Sequence, residues 1–192
     1  MGQYYKPYIK NDDGEFTFRA QDYGCGSKLM EHSWLGNEYV NAALTMIEET
    51  PSIVAWVGDY AIDECIEQSI YDKVWSIDVN KCLPELADID VKLFFMFYDE
   101  IIGEGYLINH TKGEYISLKD YQEIASYDGW CVNPLPRLTA IGNGQGRGDY
   151  SGGFPNSHMV GCWALNKIEF NLKEYPSEYA DITEIVVFKE VA

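Results

Sequence analysis

The stretch NEYVNAALTMIEETPSIVAWVGD, residues 37–59, carries the clearest signals for the fold. Its first half places four apolar residues at helical spacing: Val40, Ala43, Leu44 and Ile47. Asn37 is a residue type that caps helix N-termini, and Pro51 cannot continue a helix, so these two residues bracket it. The run SIVAWV, residues 52–57, is short and continuously apolar, which indicates a buried strand. The stretch therefore predicts a helix followed by a core strand.

Signals on both sides of this stretch predict hairpins and further helices. Residues 3–9 and 15–20 flank the turn NDDG, and Pro7 favours an edge position or a short strand for the first of these segments. YLIN and EYIS, residues 106–109 and 114–117, flank a second turn. Apolar spacing predicts a helix within residues 62–75. Ser117 with Asp120 predicts a cap for a helix over 119–125.

The remaining apolar runs have strand character. We expect strands in VKLFFMFYD (91–99), HMVGCWAL (158–165), KIEFNL (167–172) and DITEIVVFKEV (181–191). Strands outnumber helices and several are joined by tight turns. The sequence thus predicts an α+β fold, a mostly antiparallel sheet with two or three helices, in one compact domain over residues 1–192.

The charge distribution limits the partners. The net charge is −17, and residues 31–128 alone carry five lysines against twenty acids. Long nucleic acid is not expected as a partner, because binding it needs a basic surface. The acidic region is typical of a solvated surface, and its functional alternative is a charged surface that imitates nucleic acid. A small anion still fits, provided that positive charge is concentrated locally.

Cysteine usage and the N-terminus indicate the compartment. The five cysteines are widely spaced and form no CxxC pair, which argues against a disulfide scaffold and fits a reducing compartment. The first residues lack the apolar run of a signal peptide, and no stretch is long enough to cross a membrane. We predict a cytoplasmic protein without a membrane partner. The sequence leaves open whether several copies assemble.

The stretch GNGQGRGDYSGG, residues 142–153, is the main candidate for a ligand loop. It matches neither a Walker A loop, which needs a lysine and a hydroxyl residue, nor a dinucleotide fingerprint, which needs a following helix. Glycines allow successive backbone N–H groups to converge on an anion. We predict ligand-binding roles for six loop residues: Asn143, Gly144, Gln145, Gly146, Arg147 and Gly148. The alternative is a surface loop without a ligand.

Arginine placement favours the ligand interpretation. The chain has three arginines, and two of them, Arg137 and Arg147, lie just before and within the glycine loop. A guanidinium group is a forked donor suited to phosphate. Arg147 is therefore predicted to hold phosphate, with Arg137 in support.

The segment LMEHSWLGN, residues 29–37, supplies the other candidate side chains. Trp34 is predicted to stack on a base, and His32 is one candidate for a general base. The alternative is that His32 and Ser33 satisfy backbone groups at a helix entry while Trp34 anchors the core. His158 is the second candidate base, because it follows the glycine loop.

Two further polar features have simpler explanations. Asp59 and Asp63 are four residues apart and would suit a divalent cation, but a turn residue and a helix cap explain them as well. His110 lies in a predicted turn. We predict no metal ion and no cofactor.

Five stretches together resemble a family of bacteria and their phages that has no established activity. They are MGQYYK, LMEHSWLGN, VAWVGDYA, LINHTKGEY and LTAIGNGQGRGDY, and the resemblance extends from residue 1 to about residue 163. It implies an intracellular protein, one that a phage could encode, and it supplies no catalytic residues.

The sequence predicts a protein that binds a small phosphorylated ligand, either a nucleotide or a cyclic nucleotide messenger. In a phage, such binding would sequester an immune signal and so serve immune evasion. Two alternatives stay open: an acidic protein that inhibits a basic host enzyme, and a phosphodiesterase-type hydrolase of the same ligand. Binding without catalysis is favoured because no convincing catalytic set is visible.

Overall fold

The fold is known from a computed structural model that describes residues 3–61, 66–75, 104–126, 128–142 and 156–187. It is an α+β fold, as the sequence predicts. Within these residues the strands are β1 (Tyr5–Asn11), β2 (Gly14–Phe16), β3 (Ser52–Gly58), β4 (Tyr106–Asn109), β5 (Glu114–Ser117), β6 (Ala140–Ile141), β7 (Asn166–Asn171) and β8 (Ala180–Asp181). The helices are α1 (Leu29–His32), α2 (Glu38–Met46), α3 (Gln68–Trp75), α4 (Leu118–Ala125) and α5 (Pro134–Leu138).

The described strands form one mixed, mostly antiparallel sheet. Their order is β2-β1-β3-β7-β4-β5-β8, and β6 pairs with β3 outside this path. The β3–β6 and β5–β8 pairs are parallel, whereas every other pair is antiparallel. Strand β7 pairs with residues 52–54 of β3, and β6 pairs with residues 56–57. Two strands therefore pair with β3 one after the other, β7 beside its first residues and β6 beside its later ones. Strand β6 then leads into the glycine loop.

Pro7 lies in β1, which pairs with β3 along residues 5–10. The backbone N–H of Tyr5 points away from β3, to the carbonyl oxygen of Ser27 at 2.7 Å. Because backbone N–H groups of a strand alternate in direction, the ring nitrogen of Pro7 faces this same side. Strand β2 pairs only with residues 9–11 and does not reach Pro7. The proline is tolerated because its side of the strand needs no donor.

The sheet has apolar side chains on both faces. One face packs against α2, α4 and α5, and its buried core includes Val54, Trp56 and Phe170. The opposite face packs against α3 through a smaller buried cluster: Tyr8, Ala55, Val57, Ala61, Val74 and Ile141. Successive side chains of β3 point to opposite faces of the sheet, and both faces are buried. The sequence of this strand is therefore continuously apolar.

Two predicted helix caps are confirmed. The Asn37 side chain accepts hydrogen bonds from the backbone N–H groups of Tyr39 and Val40 at 3.0 and 3.3 Å. The Ser117 hydroxyl accepts one from Asp120 at 3.3 Å, at the start of α4. Both helices begin where a side-chain oxygen replaces the missing turn of backbone acceptors.

Two strand predictions are wrong in the described residues. HMVGCWAL begins within a short 3-10 helix, Ser157–Met159, and continues in turns. Gly161 and Leu165 have φ values of +77° and +59°, which a strand cannot accommodate. Of DITEIVV, the part of the C-terminal stretch that the structure describes, only Asp181 is in a strand, and residues 183–186 form a turn. There the Thr183 hydroxyl accepts from the backbone N–H of Ser117 at 3.0 Å, which ties the turn to the end of β5.

Other expectations fall partly or wholly outside the described residues. The predicted strand at 91–99 lies outside them, as does the first part of the helix predicted within 62–75. The short helix α5 is not predicted by the sequence pattern, although Asn133 caps it and Pro134 opens it. Among the described residues, no helix is long and apolar enough to cross a membrane.

Candidate functional site

The predicted ligand loop lies outside the described residues, but its two ends do not. Asn143, Gly144, Gln145, Gly146, Arg147 and Gly148 are all within the gap from 143 to 155, so their roles stay predictions. The chain enters the loop from β6 and leaves it at Asn156. Backbone N–H groups of Gly161 and Trp163 donate to the carbonyl oxygens of Arg137 and Leu138 at 2.9 and 2.7 Å. These bonds hold the two flanks of the loop side by side.

The packing around two glycines at the start of the loop is close. Gly58 is the last residue of β3, and Gly142 directly follows β6. The two glycines therefore lie side by side at the carboxyl ends of these parallel strands. A side chain at either position would overlap the Gln3 side chain. Loops that leave the carboxyl ends of neighbouring parallel strands commonly border a ligand site. The glycine loop begins at one such edge, where β6 pairs with two residues of β3.

Arg137 is buried, with an exposed fraction of only 1%. It lies in the last turn of α5, and the other residues of this helix are buried as well. Burial raises the pKa of the Cys131 thiol, while a hydrogen bond with Ser126 and the positive charge of Arg137 act in the opposite direction. The guanidinium group is thus close enough to Cys131 to act on its thiol. A charge at this depth needs hydrogen-bonding and anionic partners.

The segment before α2 runs alongside the segment before α5. The backbone N–H of Leu35 donates to the Cys131 carbonyl oxygen at 2.9 Å, and that of Asn133 donates to the Ser33 carbonyl oxygen at 3.2 Å. Trp34 is half-buried between these bonds. Cys131 therefore links the segment of Trp34, through the bond from Leu35, to the surroundings of Arg137.

Trp34 forms a pair with Trp130. Their ring centroids are 5.8 Å apart at an interplanar angle of 67°, and Trp130 is 65% exposed. Sequence reasoning missed Trp130, although a tryptophan after the turn-like DG, one residue before Cys131, was a usable signal. An exposed tryptophan beside a half-buried one leaves an aromatic surface open to a ligand.

Two buried donors lie next to this aromatic pair. In the part of the chain that the structure describes, neither the Ser33 hydroxyl nor the Asn133 side-chain nitrogen has a hydrogen-bond partner. The Asn133 side-chain oxygen is used, because it accepts from Leu135 at 3.0 Å. A buried donor without an acceptor costs about 1–3 kcal/mol, so an acceptor at this place would be stabilising.

His32 is a structural residue rather than a base in contact with solvent. It is fully buried, and its Nδ1 lies 3.0 Å from the Gly26 carbonyl oxygen. The Trp56 indole N–H donates to its Nε2 at 2.9 Å. These contacts fix the neutral tautomer with the proton on Nδ1. Burial lowers its pKa from 6.5 to about 4, against the opposing effects of the Gly26 bond and Glu31.

Of the three remaining candidate residues, the structure describes His158 and Asp59. His158 is exposed in the 3-10 helix after the loop, so it stays a candidate base. The Asp59 carboxylate accepts from the backbone N–H of Tyr4 at 3.1 Å, and Asp63 lies outside the described residues. Among the residues described, no group of three His, Cys, Asp or Glu side chains could hold a metal ion.

Comparison of the chain with protein-family models, with curated proteins and with solved structures gives no match. The site therefore has to be interpreted from its own residues.

Proposed function

We propose that the protein binds a small phosphorylated ligand, a nucleotide or a cyclic nucleotide messenger, beside the segments 33–35 and 130–137. The observation that carries the proposal is the meeting of three features at these segments. They are the buried Arg137, the side-chain donors of Ser33 and Asn133, which have no hydrogen-bond partner among the residues that the structure describes, and the Trp34–Trp130 pair, in which Trp130 is exposed.

Each feature suits one part of a nucleotide. A guanidinium group and a neighbouring hydroxyl and amide are donors, as phosphate oxygens require. Aromatic rings at the surface stack on a base, whatever its identity. Arg147 and the amides of the glycine loop belong to the proposal as further phosphate donors, on the strength of the sequence.

The proposed role is binding rather than turnover. In this site His32 has both ring nitrogens engaged within the protein, so it offers no free base. His158 is the remaining candidate if the ligand is hydrolysed. Resemblance to a bacterial and phage family makes sequestration of a nucleotide immune signal the biological setting that we favour.

A thermal-shift screen with mono-, di-, tri- and cyclic nucleotides tests the proposal first. A ligand that binds the folded state raises Tm in a concentration-dependent way. Chromatography of the same mixtures would detect a product and so distinguish hydrolysis from binding. If no nucleotide raises Tm, the proposal is wrong.

The variant Trp130→Ala then tests the stacking surface. Because Trp130 is 65% exposed, its removal should leave the fold intact. Loss of one base–aromatic stack should weaken binding by about 1–3 kcal/mol in calorimetry. Ile185→Ala is the control, since Ile185 is a large apolar side chain that is 54% exposed. Equal affinities for the two variants would remove the tryptophan pair from the site.

Arg147→Ala tests the glycine loop. The expected loss is about 1.5–3 kcal/mol, the scale of a hydrogen bond to a charged group. Arg19→Ala is a matched control, because it removes the same charge from an exposed arginine that pairs with Asp22. A loss that is equal in both variants would reflect net charge alone and would exclude Arg147 from the site.

The second candidate function is inhibition of a basic host enzyme, and the net charge of −17 favours it. It predicts complex formation with a basic protein that weakens steeply as salt is raised. An absence of nucleotide binding together with such a complex would replace the first proposal.

A further inference from the structure

A hydrogen-bonded chain of three side chains lies at the turn between β4 and β5. His110 Nε2 is 2.7 Å from Glu169 Oε2, and His110 Nδ1 is 3.3 Å from the Tyr179 hydroxyl. The His110 and Tyr179 rings meet edge to face, with centroids 5.8 Å apart. Carboxylate, imidazole and hydroxyl therefore follow one another in the order that activates a hydroxyl nucleophile.

Backbone hydrogen bonds position the residues that carry these three side chains. The His110 N–H donates to the Lys167 carbonyl oxygen at 2.9 Å, which fixes the turn against β7. The Ala180 N–H donates to the Gly113 carbonyl oxygen at 2.8 Å, which places Tyr179 against the same turn. Gly113 has a φ of +66°, so a glycine suits this position.

The carboxylate of Glu169 is held on both sides. Its Oε1 accepts from the Asn171 side-chain nitrogen at 3.0 Å, while Oε2 faces His110. A carboxylate next to Nε2 stabilises the tautomer that carries the proton on this nitrogen. Nδ1 of His110 then presents its lone pair to the Tyr179 hydroxyl, which is the arrangement of a general base with its nucleophile.

The three side chains are partly open to solvent, and two lysines lie near them in the turn and on β7. The exposed fractions of the His110 and Glu169 side chains are 24% and 12%. Lys167 is two residues before Glu169 and therefore shares its face of β7, and Lys112 is in the turn itself. Both lysines are exposed. Glu114 begins β5 and Glu178 precedes Tyr179, so the two lysines offset nearby acids and are the groups that would contact an anionic substrate.

We propose that Tyr179 is a nucleophile toward phosphodiesters, with His110 as its general base and Glu169 as the residue that positions His110. The Tyr179 oxygen attacks phosphorus and its proton passes to His110 Nδ1. The bond between phosphorus and the leaving oxygen breaks, and the leaving oxygen keeps the electron pair and takes the proton from His110 Nδ1, which returns His110 to its neutral form. A water molecule then attacks phosphorus, passes a proton to His110, and releases the Tyr179 oxygen, which takes that proton back.

This reactive centre is separate from the proposed nucleotide site. Glu169 faces away from the sheet face on which α2 and α5 pack, because its neighbours Ile168 and Phe170 belong to that core. The centre consequently does not rest on the proposed function.

The experiment uses the full chain and bis(4-nitrophenyl) phosphate, an activated phosphodiester. We expect a stoichiometric burst of 4-nitrophenolate and a phosphoryl adduct that peptide mass spectrometry assigns to Tyr179. Tyr179→Phe should lose the burst and the adduct, while its packing against the turn is kept. Tyr175→Phe is the matched control, because Tyr175 is a 40% exposed tyrosine nearby in sequence, and it should label like the wild type.

Two variants test the relay. His110→Gln should slow labelling by roughly a hundredfold, the scale of general-base catalysis. Glu169→Gln should lower the maximal labelling rate without changing the probe concentration that gives half of it, which a merely structural role would not produce.

Three results would overturn the proposal. They are an adduct on other residues of the wild type, equal labelling of Tyr179→Phe, and labelling of many tyrosines at similar rates. The first result is decisive even if a variant fails to fold. Trp130→Ala should label normally, and Tyr179→Phe should keep any nucleotide-induced rise in Tm, so each proposal can fail without the other.

Discussion

Acidification should destabilise this protein through His32. Both ring nitrogens are used by the neutral form, at 3.0 Å from the Gly26 carbonyl oxygen and 2.9 Å from the Trp56 indole nitrogen. A proton added at Nε2 would point at the Trp56 N–H, so two donors would face each other. The ring is fully buried between Tyr39 and Trp56, so water cannot take over either contact.

The magnitude follows from the pKa of His32, which burial lowers from 6.5 to about 4. Between these values the unfolded chain binds a proton at His32 and the folded chain does not. The contribution of neutral His32 to stability is therefore complete above the unfolded pKa and is lost as the pH falls toward the folded pKa. The loss across this window is about 3 kcal/mol, a large part of the stability of an ordinary domain.

The assay is urea unfolding followed by tryptophan fluorescence, from about pH 7 to about pH 4.5. The wild type is compared with His32→Gln, which lacks the titrating group. Carboxylates affect both proteins alike, so the difference between the two stability curves isolates His32. His158→Gln is the control, because it removes an exposed histidine. It should keep the pH dependence of the wild type.

Parallel curves for the wild type and His32→Gln would refute the reasoning, since His32 would then contribute nothing to the pH dependence. We expect the two curves instead to approach each other as the pH falls, with the wild type more stable at neutral pH.

Two further predictions concern stability. Asn37→Ala should destabilise the protein by about 1 kcal/mol, and Ser117→Ala should destabilise it by less. The reason is that Asn37 accepts two backbone hydrogen bonds at the start of its helix, whereas Ser117 accepts one. Denaturant unfolding measures both variants, and a larger loss of stability in Ser117→Ala would contradict the prediction. Gly105→Ala should cost about 1–3 kcal/mol, because an added methyl group would overlap the buried Phe170 ring. Phe170→Leu should offset part of that cost in a double-mutant cycle, and strictly additive effects would show that the two residues do not compete for space.

Local signals in the sequence were enough for much of the fold. The hairpin at residues 106–117 and the helix starts at Asn37 and Ser117 depend on turn residues and caps that act over a few positions. The wrong strand at 158–165 has the opposite cause. Trp163 is buried and the other apolar residues of the stretch are partly buried, while positive φ at Gly161 and Leu165 prevents the extended course that composition alone favours.

The sequence also suggested candidate residues for a ligand site. It pointed to Trp34, Arg137 and the glycine loop through composition and spacing along the chain. It could not pair Trp34 with Trp130, because that contact depends on two loops meeting.

What the sequence by itself determined is the α+β class, the helix starts at Asn37 and Ser117 and the hairpin at residues 106–117, since each follows from interactions between residues close in the chain. Only the tertiary structure decided which polar side chains meet. His32 and Trp56 are 24 residues apart, and His110 and Glu169 are 59 apart. Such pairs depend on the strand register and on the order of strands in the sheet, which no local pattern specifies. The locked histidine in the core and the Glu169–His110–Tyr179 chain at the surface therefore became visible only once the sheet was assembled.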